Sequence, residues 1–491
     1  MIQQRRIRVG TENYPGTLFG SRIGEPDNYY SSGQDLATDP FALTLDNEQL
    51  TPVKFIVPYP EGAFIFQDTA ITQVRGLDDG IIKVGAVKAQ ELTEDGSSNL
   101  QPLNIKRDFL YLNAAKTSVY ALGPTNLPQY YVPNDISIYS EHYFTGDNPI
   151  VSWTWAKSPN KILWAARADG TFLSLTYVSE QEVAAWSEHS TLGAVEDVEA
   201  ILENDLDRVY MIVRRQINGV HVRYIERMGL SNPKTPDEVW PVDCGLRTSL
   251  VYPPANILVV TTEGATTGVI LADVVAFNAS DVGHLFRVGT ARGTITTFTN
   301  TKKITVTWDR PFDPLQVDYA SLEVRLWAAG EWSRGDFVST VSGLDHLKLE
   351  QVAVLGDGVP LDSATVTSGQ ISLSADATYV VAGLPFTAEL KTLPMSASDA
   401  AIEGKYKAPK NLAVRLWNTT GANFGDGAGD VMFPISPPQG TVPLAGELFH
   451  NGMREISIAA SMTLDGQITV EKTGPQHITV LGYVVEVEIG D

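Results

Sequence analysis

The feature that most constrains this chain is alternation. Apolar and polar residues mostly change places at every second position, in runs of five to eight broken by clusters of Gly, Asn, Asp and Pro. A period of two places one set of side chains on one face of a strand, so the pattern predicts half-buried antiparallel strands almost throughout. The 41 Gly and 28 Pro supply enough punctuation for many short strands. A chain of 491 residues predicts about three folding units at roughly 150 residues each.

Two hairpins can be written out from their turns. In 162–177 the pair Asp169-Gly170 predicts a tight two-residue turn, with Ile162, Trp164, Ala166, Leu173, Leu175 and Tyr177 on a core face. In 209–228 the pair Asn218-Gly219 predicts a second, with Val209, Met211, Val213, Ile217, Val220, Val222 and Tyr224 inward. Its opposite face carries Arg208, Arg214, Arg223, Arg227 and His221, and places Arg214 opposite Arg223. Like charges so placed repel unless an acid lies near. Between the hairpins, Ser179 followed by Glu182 has the form of a capping box, and 179–188 is expected to be a short helix with Val183 and Trp186 on one face.

From about 245 to 336 the texture becomes Val- and Thr-rich, with strands expected at 257–262, 268–275, 293–299, 303–308 and 321–327. This reads as an inserted β module, possible tip of the molecule, giving a division into 1–228, 229–340 and 341–491. The last block returns to strands with turns at Asp357-Gly358, Ser368-Gly369 and Asp465-Gly466, and the glycine-rich stretch 421–429 is expected to be a mobile loop. The fold class expected is all-β: an irregular β-propeller-like main body with additional sandwich or barrel domains.

Composition narrows function. There are 36 Lys and Arg against 58 Asp and Glu, a net charge of −22, which argues against a general surface for nucleic acid or anionic membrane. A single cysteine, Cys244, permits no internal disulfide. No apolar run is long enough for a membrane span, and Arg5, Arg6 and Arg8 precede no signal-like apolar stretch. Zinc-protease, nucleophile-elbow and phosphate-loop motifs are absent, and the seven histidines are never within five residues of one another. Glu203, Asp205 and Asp207 read as a solvated turn rather than a cation loop, and Gly425-Asp426-Gly427 as no phosphate cradle, since no helix follows. The arginine face is expected to meet carboxylates, within the chain or on a neighbour, rather than phosphate. No catalytic, cofactor or metal residues are assigned.

Several stretches, in order, carry a resemblance. Ser21-Arg22-Ile23-Gly24-Glu25-Pro26-Asp27-Asn28 opens it, running on through 29–45. Leu163-Trp164, Asp169-Gly170, Leu175-Thr176-Tyr177, Glu180-Gln181, Trp186 and His189 follow. Arg214, Asn218-Gly219 and Tyr224-Ile225-Glu226 continue it, and Gly343-Leu344-Asp345-His346-Leu347, Asp357-Gly358 and Val366 to Gly369 complete it. Together they resemble the nozzle proteins of short-tailed bacteriophages, also called tail tubular protein B or tail stabilisation protein, over most of 1–227 and 341–491. The resemblance implies a virion structural protein made in the host cytoplasm, without catalysis. It implies a homo-hexamer ending the tail, joined to the adaptor ring and tail fibres, whose lumen passes genomic DNA without specific binding. Trp164, Asp169, Gly170, Trp186, His189, Arg214, Asn218, Gly219, Glu226, His346, Asp357 and Gly358 are then structural motif residues. Members of that family usually carry a long segment ahead of the opening stretch, and Met1 here lies close to it. Two other classes fit a tail-borne propeller: a glycan-degrading enzyme, needing two carboxylates about 5–10 Å apart, and a glycan-binding module using some of the nine tryptophans.

Overall fold

The computed structural model describes the chain except residues 1, 35, 46–50, 78–79, 126–130, 230, 232, 234–238, 249–252, 289–290, 313–318, 323–324, 330, 336–337, 357, 378, 397–403, 427–432, 436–449, 459–460 and 491. The fold is all-β, and every strand pairing among the described residues is antiparallel. The chain divides into two compact units, 1–215 with 223–228, and 216–222 with 229–491.

The first unit is a series of up-and-down meanders, each built from contiguous sequence. A three-stranded sheet (Ile7–Arg8, Thr17–Gly20, Phe41–Thr44) leads to a four-stranded one (Val53–Tyr59, Gly62–Gln67, Ile71–Gly76, Val87–Thr93). Two more four-stranded sheets follow, Leu103–Ile105 to Tyr131–Asp135 and Ile150–Ala156 to Val183–His189, then a three-stranded sheet of Ala194–Glu203, Leu206–Ile217 and Val220–Arg227. Consecutive sheets stack face to face. Ala63, Ile65 and Val74 pack with Leu18 and Phe41 of the sheet before. Phe64 and Phe66, the alternate residues of the same strand, pack with Phe109 and Tyr111 of the sheet after. Leu110 and Leu112 meet Leu163, Ala165, Leu173 and Leu175, while Ala166 and Phe172 meet Val195, Val198, Val209 and Val213. Local four-stranded meanders stacked in chain order are the blade pattern of a propeller.

In the second unit a seven-stranded sheet uses only 257–335, in the order Leu326–Trp327, Ile257–Val260, Thr267–Ala272, Lys303–Arg310, Ala291–Asn300, Leu285–Val288, Trp332–Gly335. Its outermost strands, at Trp327 and Trp332, are five residues apart in the chain. That length reaches about 18 Å, whereas seven strands laid flat would separate the edges by about 29 Å. The sheet therefore curls on itself, barrel-like, around Ile257, Ile270, Phe286, Ile304, Trp308 and Trp332. Asp243–Arg247 pairs with Val380–Leu384, which joins Gln351–Gly356 and Val359–Thr365. The C-terminal strands form two sheets around Leu412, Val414, Leu416, Phe424 and Val470.

Several expectations are corrected. The stretch 179–188 is no helix: a single 3₁₀ turn, Ser179–Gln181, ends at left-handed Glu182, and Val183–His189 is a strand pairing Trp186 with Leu175. The capping-box spacing was met, but pairing to an open sheet edge outweighed a weak local helix signal. At Asp169-Gly170 the loop holds three residues, with only Gly170 at positive φ (88°) and the Arg167 N–H donating to Thr171 O. Ala166 thus pairs with Phe172, not Leu173. One residue of slip exchanges the faces: Leu163 and Ala165 lie with Leu173 and Leu175, while Trp164 and Ala166 face the next sheet with Phe172. In the second hairpin Asn218 (φ 48°) and Gly219 (φ 76°) make the two-residue turn, and the Met228 N–H donates to Val209 O as that turn requires; Val220, expected inward, is exposed. The strand expected at 321–327 is a helical turn, Tyr319–Leu322, followed by the short strand Leu326–Trp327. Of the loop expected at 421–429, Ala422–Gly425 is a strand paired with Thr469–Lys472, and the remainder past Asp426 lies outside the described residues, as does Asp357.

The two turn glycines differ in surroundings. A Cβ on Gly170 would stand 2.3 Å from the Ala194 Cβ, whereas one on Gly219 meets nothing within 4 Å. Gly170→Val should cost about 3 kcal/mol or more, and Gly219→Val about 1–2 kcal/mol from backbone strain alone. Chemical denaturation of both variants checks the order.

Candidate functional site on the arginine-bearing sheet

The sheet of Ala194–Glu203, Leu206–Ile217 and Val220–Arg227 concentrates charge. Its first connection is a tight turn at Asn204 (φ 49°) and Asp205 (φ 64°), which pairs Glu203 with Leu206. Alternation then sends Val209 and Val213 to the core and Arg208, Tyr210 and Arg214 outward.

Glu196 sits at a register shift between Val195 and Asp197 and takes both central arginines. The Arg214 Nε donates to Glu196 Oε1 at 2.9 Å, and Arg223 donates through Nε to Oε2 at 2.6 Å. Hydrogen bonding from Arg223 holds the Glu196 carboxyl below its ordinary range, and Glu196 in turn raises Arg223. One carboxylate between them thus offsets the expected arginine repulsion. Glu203 accepts from Tyr210 Oη at 2.5 Å and from Arg227 at 3.3 Å. Asp207 accepts from the Lys157 and Ser158 backbone N–H groups at 2.6 and 3.0 Å, so this acidic trio is turn and tether rather than cation loop.

The same sheet contains an arginine that alternation alone does not flag. Arg215 lies on the core side, with a side chain only 1 % exposed. Its Nε and Nη2 make a bidentate pair with Glu226 at 2.5 and 2.7 Å, and Nη1 donates to Thr191 Oγ1 and Leu192 O, both at 2.9 Å. Fork geometry and extra donors offset the cost of burying the charge. The motif residue Glu226 is therefore the counter-ion of a buried cation.

The other described motif residues also take part in local contacts and turns. Trp186 donates from Nε1 to Ile136 O at 3.0 Å and meets Phe144 edge-on. His189 pairs its Nε2 with Ser174 Oγ at 2.7 Å beside the stacked rings of Trp164 and Phe172. Asp169 accepts from the Thr171 N–H at 2.9 Å and pairs with Arg167. The Asn218 N–H donates to Glu350 Oε1 at 2.9 Å. His346 donates to Cys244 O at 3.0 Å, and Gly358 holds φ 81°. In the opening stretch, buried Arg5 donates to Ser21 O, Asp39 O and Ala37 O at 2.6 to 2.8 Å, while Asn28 donates to Glu25 at 2.6 Å. Among the described residues no group of three or more His, Cys, Asp or Glu could hold a metal ion, and no helix is long and apolar enough to cross a membrane.

No family model matches the chain, and no curated protein does. Among solved structures it is similar to the Neurospora crassa Pan2 WD40 domain, at 10 % identity over 54 % of this chain and 90 % of that one, with a TM-score of 0.22. It is also similar to the β-propeller domain of Myceliophteria thermophila Cps50 (Swd1), at 9 % identity over 76 % of this chain and 97 % of that one, with a TM-score of 0.25. Scores this low bear on neither mechanism nor partners.

Another buried cation lies in the C-terminal sheets. Lys472 Nζ donates to Pro241 O at 3.2 Å and sits 3.3 Å from the Phe386 ring centroid. Burial pushes its amine down to about 7, against the pull of Asp243, and the charge of Lys472 adds to the burial that lowers His477. An unfolded chain keeps Lys472 protonated up to its ordinary 10.5, so between those values the unfolded state binds more protons and stability rises with pH. Lys472→Met should flatten that rise, whose slope is at most about 1.4 kcal/mol per pH unit; denaturation midpoints of both chains across the window measure it.

The two kinds of ion pair should also separate by mutation. Glu226→Ala strands a buried guanidinium and should cost about 3–5 kcal/mol. Glu196→Ala removes exposed pairs and should cost about 1 kcal/mol or less. Equilibrium denaturation in urea compares them directly.

Proposed function

We propose that this chain is a structural subunit of a virion: the tail nozzle of a short-tailed bacteriophage, a ring of copies through which the genome leaves. The observation that carries the reading is the ordered set of sequence stretches from Ser21 to Gly369, joined by none of the local catalytic motifs. The roles of the quoted residues support it. Glu226, Trp186, His189 and Gly170 serve pairing, packing and turns, which are structural tasks.

A conduit for a polyanion works best when it does not hold its cargo. Each phosphate neutralised by Lys or Arg adds affinity through counterion release and hence friction. Six copies would bring a charge of about −132. Arg214, Arg223 and Arg227 already face Glu196 and Glu203, which lowers their call on phosphate. Duplex DNA should therefore bind the purified chain weakly or not at all at about 150 mM salt. Tight binding with a steep salt slope, relieved by Arg214→Ala or Arg223→Ala, would overturn this account of the arginine face. Gold-labelled antibody against the chain should decorate the distal tail of the intact particle; labelling absent from the tail would overturn the nozzle reading.

A further inference from the structure

Among the strands that end a sheet in the described residues, two carry opposite charge. Val220–Arg227 ends its three-stranded sheet, and Val480–Ile489 ends the sheet of His450–Ser457, Lys407–Thr419 and Val480–Ile489. An open edge presents a row of unpaired N–H and C=O groups that invites another strand unless it is blunted by proline, a bulge or cover. Neither strand contains proline, and the one register irregularity on Val480–Ile489 itself, at Leu481, lies at the end away from Glu486 and Glu488.

The edges are opposite in charge and alike in their apolar content. On the first, Arg223, Ile225 and Arg227 alternate on one face, with Ile225 78 % exposed. On the second, Val484, Glu486 and Glu488 alternate on one face, with Val484 67 % exposed. Arg223 and Arg227 already lean on the half-buried Glu196 and Glu203, and Glu488 on the exposed Lys410, so glutamates of an incoming strand would join these pairs rather than replace them. Beside the acidic edge, Leu481 and Tyr483 rim an apolar cleft of about 160 Å³ floored by Leu412, Val414 and Val470. An exposed apolar edge over a cleft is a receiving surface for a strand with its own apolar residues.

We propose that the two edges meet between copies of this chain, the basic edge of one copy against the acidic edge of the next. The proposal rests on the reading of the chain as a subunit of a homo-oligomer and supplies its contact. Pairing an edge with its own duplicate would oppose arginine to arginine or glutamate to glutamate. Unlike edges avoid that repulsion. A contact between two different patches is heterologous, and repeated with a closing rotation it builds a ring. Copies that each carry −22 repel one another, and a charge-matched contact lowers that repulsion where they meet.

The test uses the full chain and two charge-reversed variants, Arg223→Glu with Arg227→Glu, and Glu486→Arg with Glu488→Arg. Mass by light scattering at low salt should show the unaltered chain in multi-copy form and each variant alone as a single copy. An equimolar mixture of the two variants should assemble again, because each then supplies the edge the other lacks. Variants that assemble alone as well as the unaltered chain would overturn this contact and leave the oligomer reading standing. An unaltered chain that stays single-copy at its highest soluble concentration would overturn the contact too, while the nozzle reading is judged separately by where the particle is labelled. If a reversal melts the sheet by circular dichroism, Ile225→Ser and Val484→Ser replace it, each expected to weaken association about tenfold; no weakening from either would overturn the contact.

Discussion

Burial of both faces of its central strands governs the first unit. Gly62–Gln67 sends Ala63 and Ile65 to one neighbouring sheet and Phe64 and Phe66 to the other. Such a strand has no solvent side to which a misplaced residue could turn. Register is therefore specified twice, once by each packed face. The aromatic rings between the second and third sheets make that specification strict: Phe64 lies 4.8 Å from Phe109 and 4.8 Å from Tyr131, at angles that a one-residue slip would destroy.

Much of this was legible in the sequence because alternation reports strands directly. Asn218-Gly219 was legible to the residue, since both turn positions need positive φ and the pair supplies it. Asp169-Gly170 was legible as a turn but not as a loop of three, because the difference lies in whether Ala168 stays in the strand or joins the loop. Where both faces are apolar, as with Trp164 and Ala166 against Leu163 and Ala165, no pattern of polarity could decide the register. The 179–188 stretch failed for a related reason: the seven-residue strand Val183–His189, with two small alanines near its start, carries little strand signal of its own, and the partner strand Phe172–Val178 decides.

The buried cations were not legible at all. Nothing in the sequence marks Arg5, Arg215 and Lys472 as buried, because charged side chains are seldom fully buried and their partners are distant or backbone carbonyls. Their roles differ. Arg5 gathers three carbonyls of the opening stretch, Arg215 is neutralised by Glu226, and Lys472 relies on one carbonyl and an aromatic face. The exposed arginines, by contrast, followed directly from strand parity, and Glu196 resolves the repulsion that parity created. Their positions along the strand thus show that the sign of a residue says little until its side of the sheet is known.

The long pairing between Asp243–Arg247 and Val380–Leu384 sets an order in time. Every sheet of the first unit can close as soon as its own stretch leaves the ribosome, because its strands are neighbours in sequence. Asp243–Arg247 emerges early but has no strand to join until more than a hundred later residues, the whole curled sheet of 257–335 among them, have been made. During that interval synthesis runs ahead of assembly. The curled sheet, whose partners all lie within its own stretch, can finish first and carry the two halves of the waiting pair toward each other.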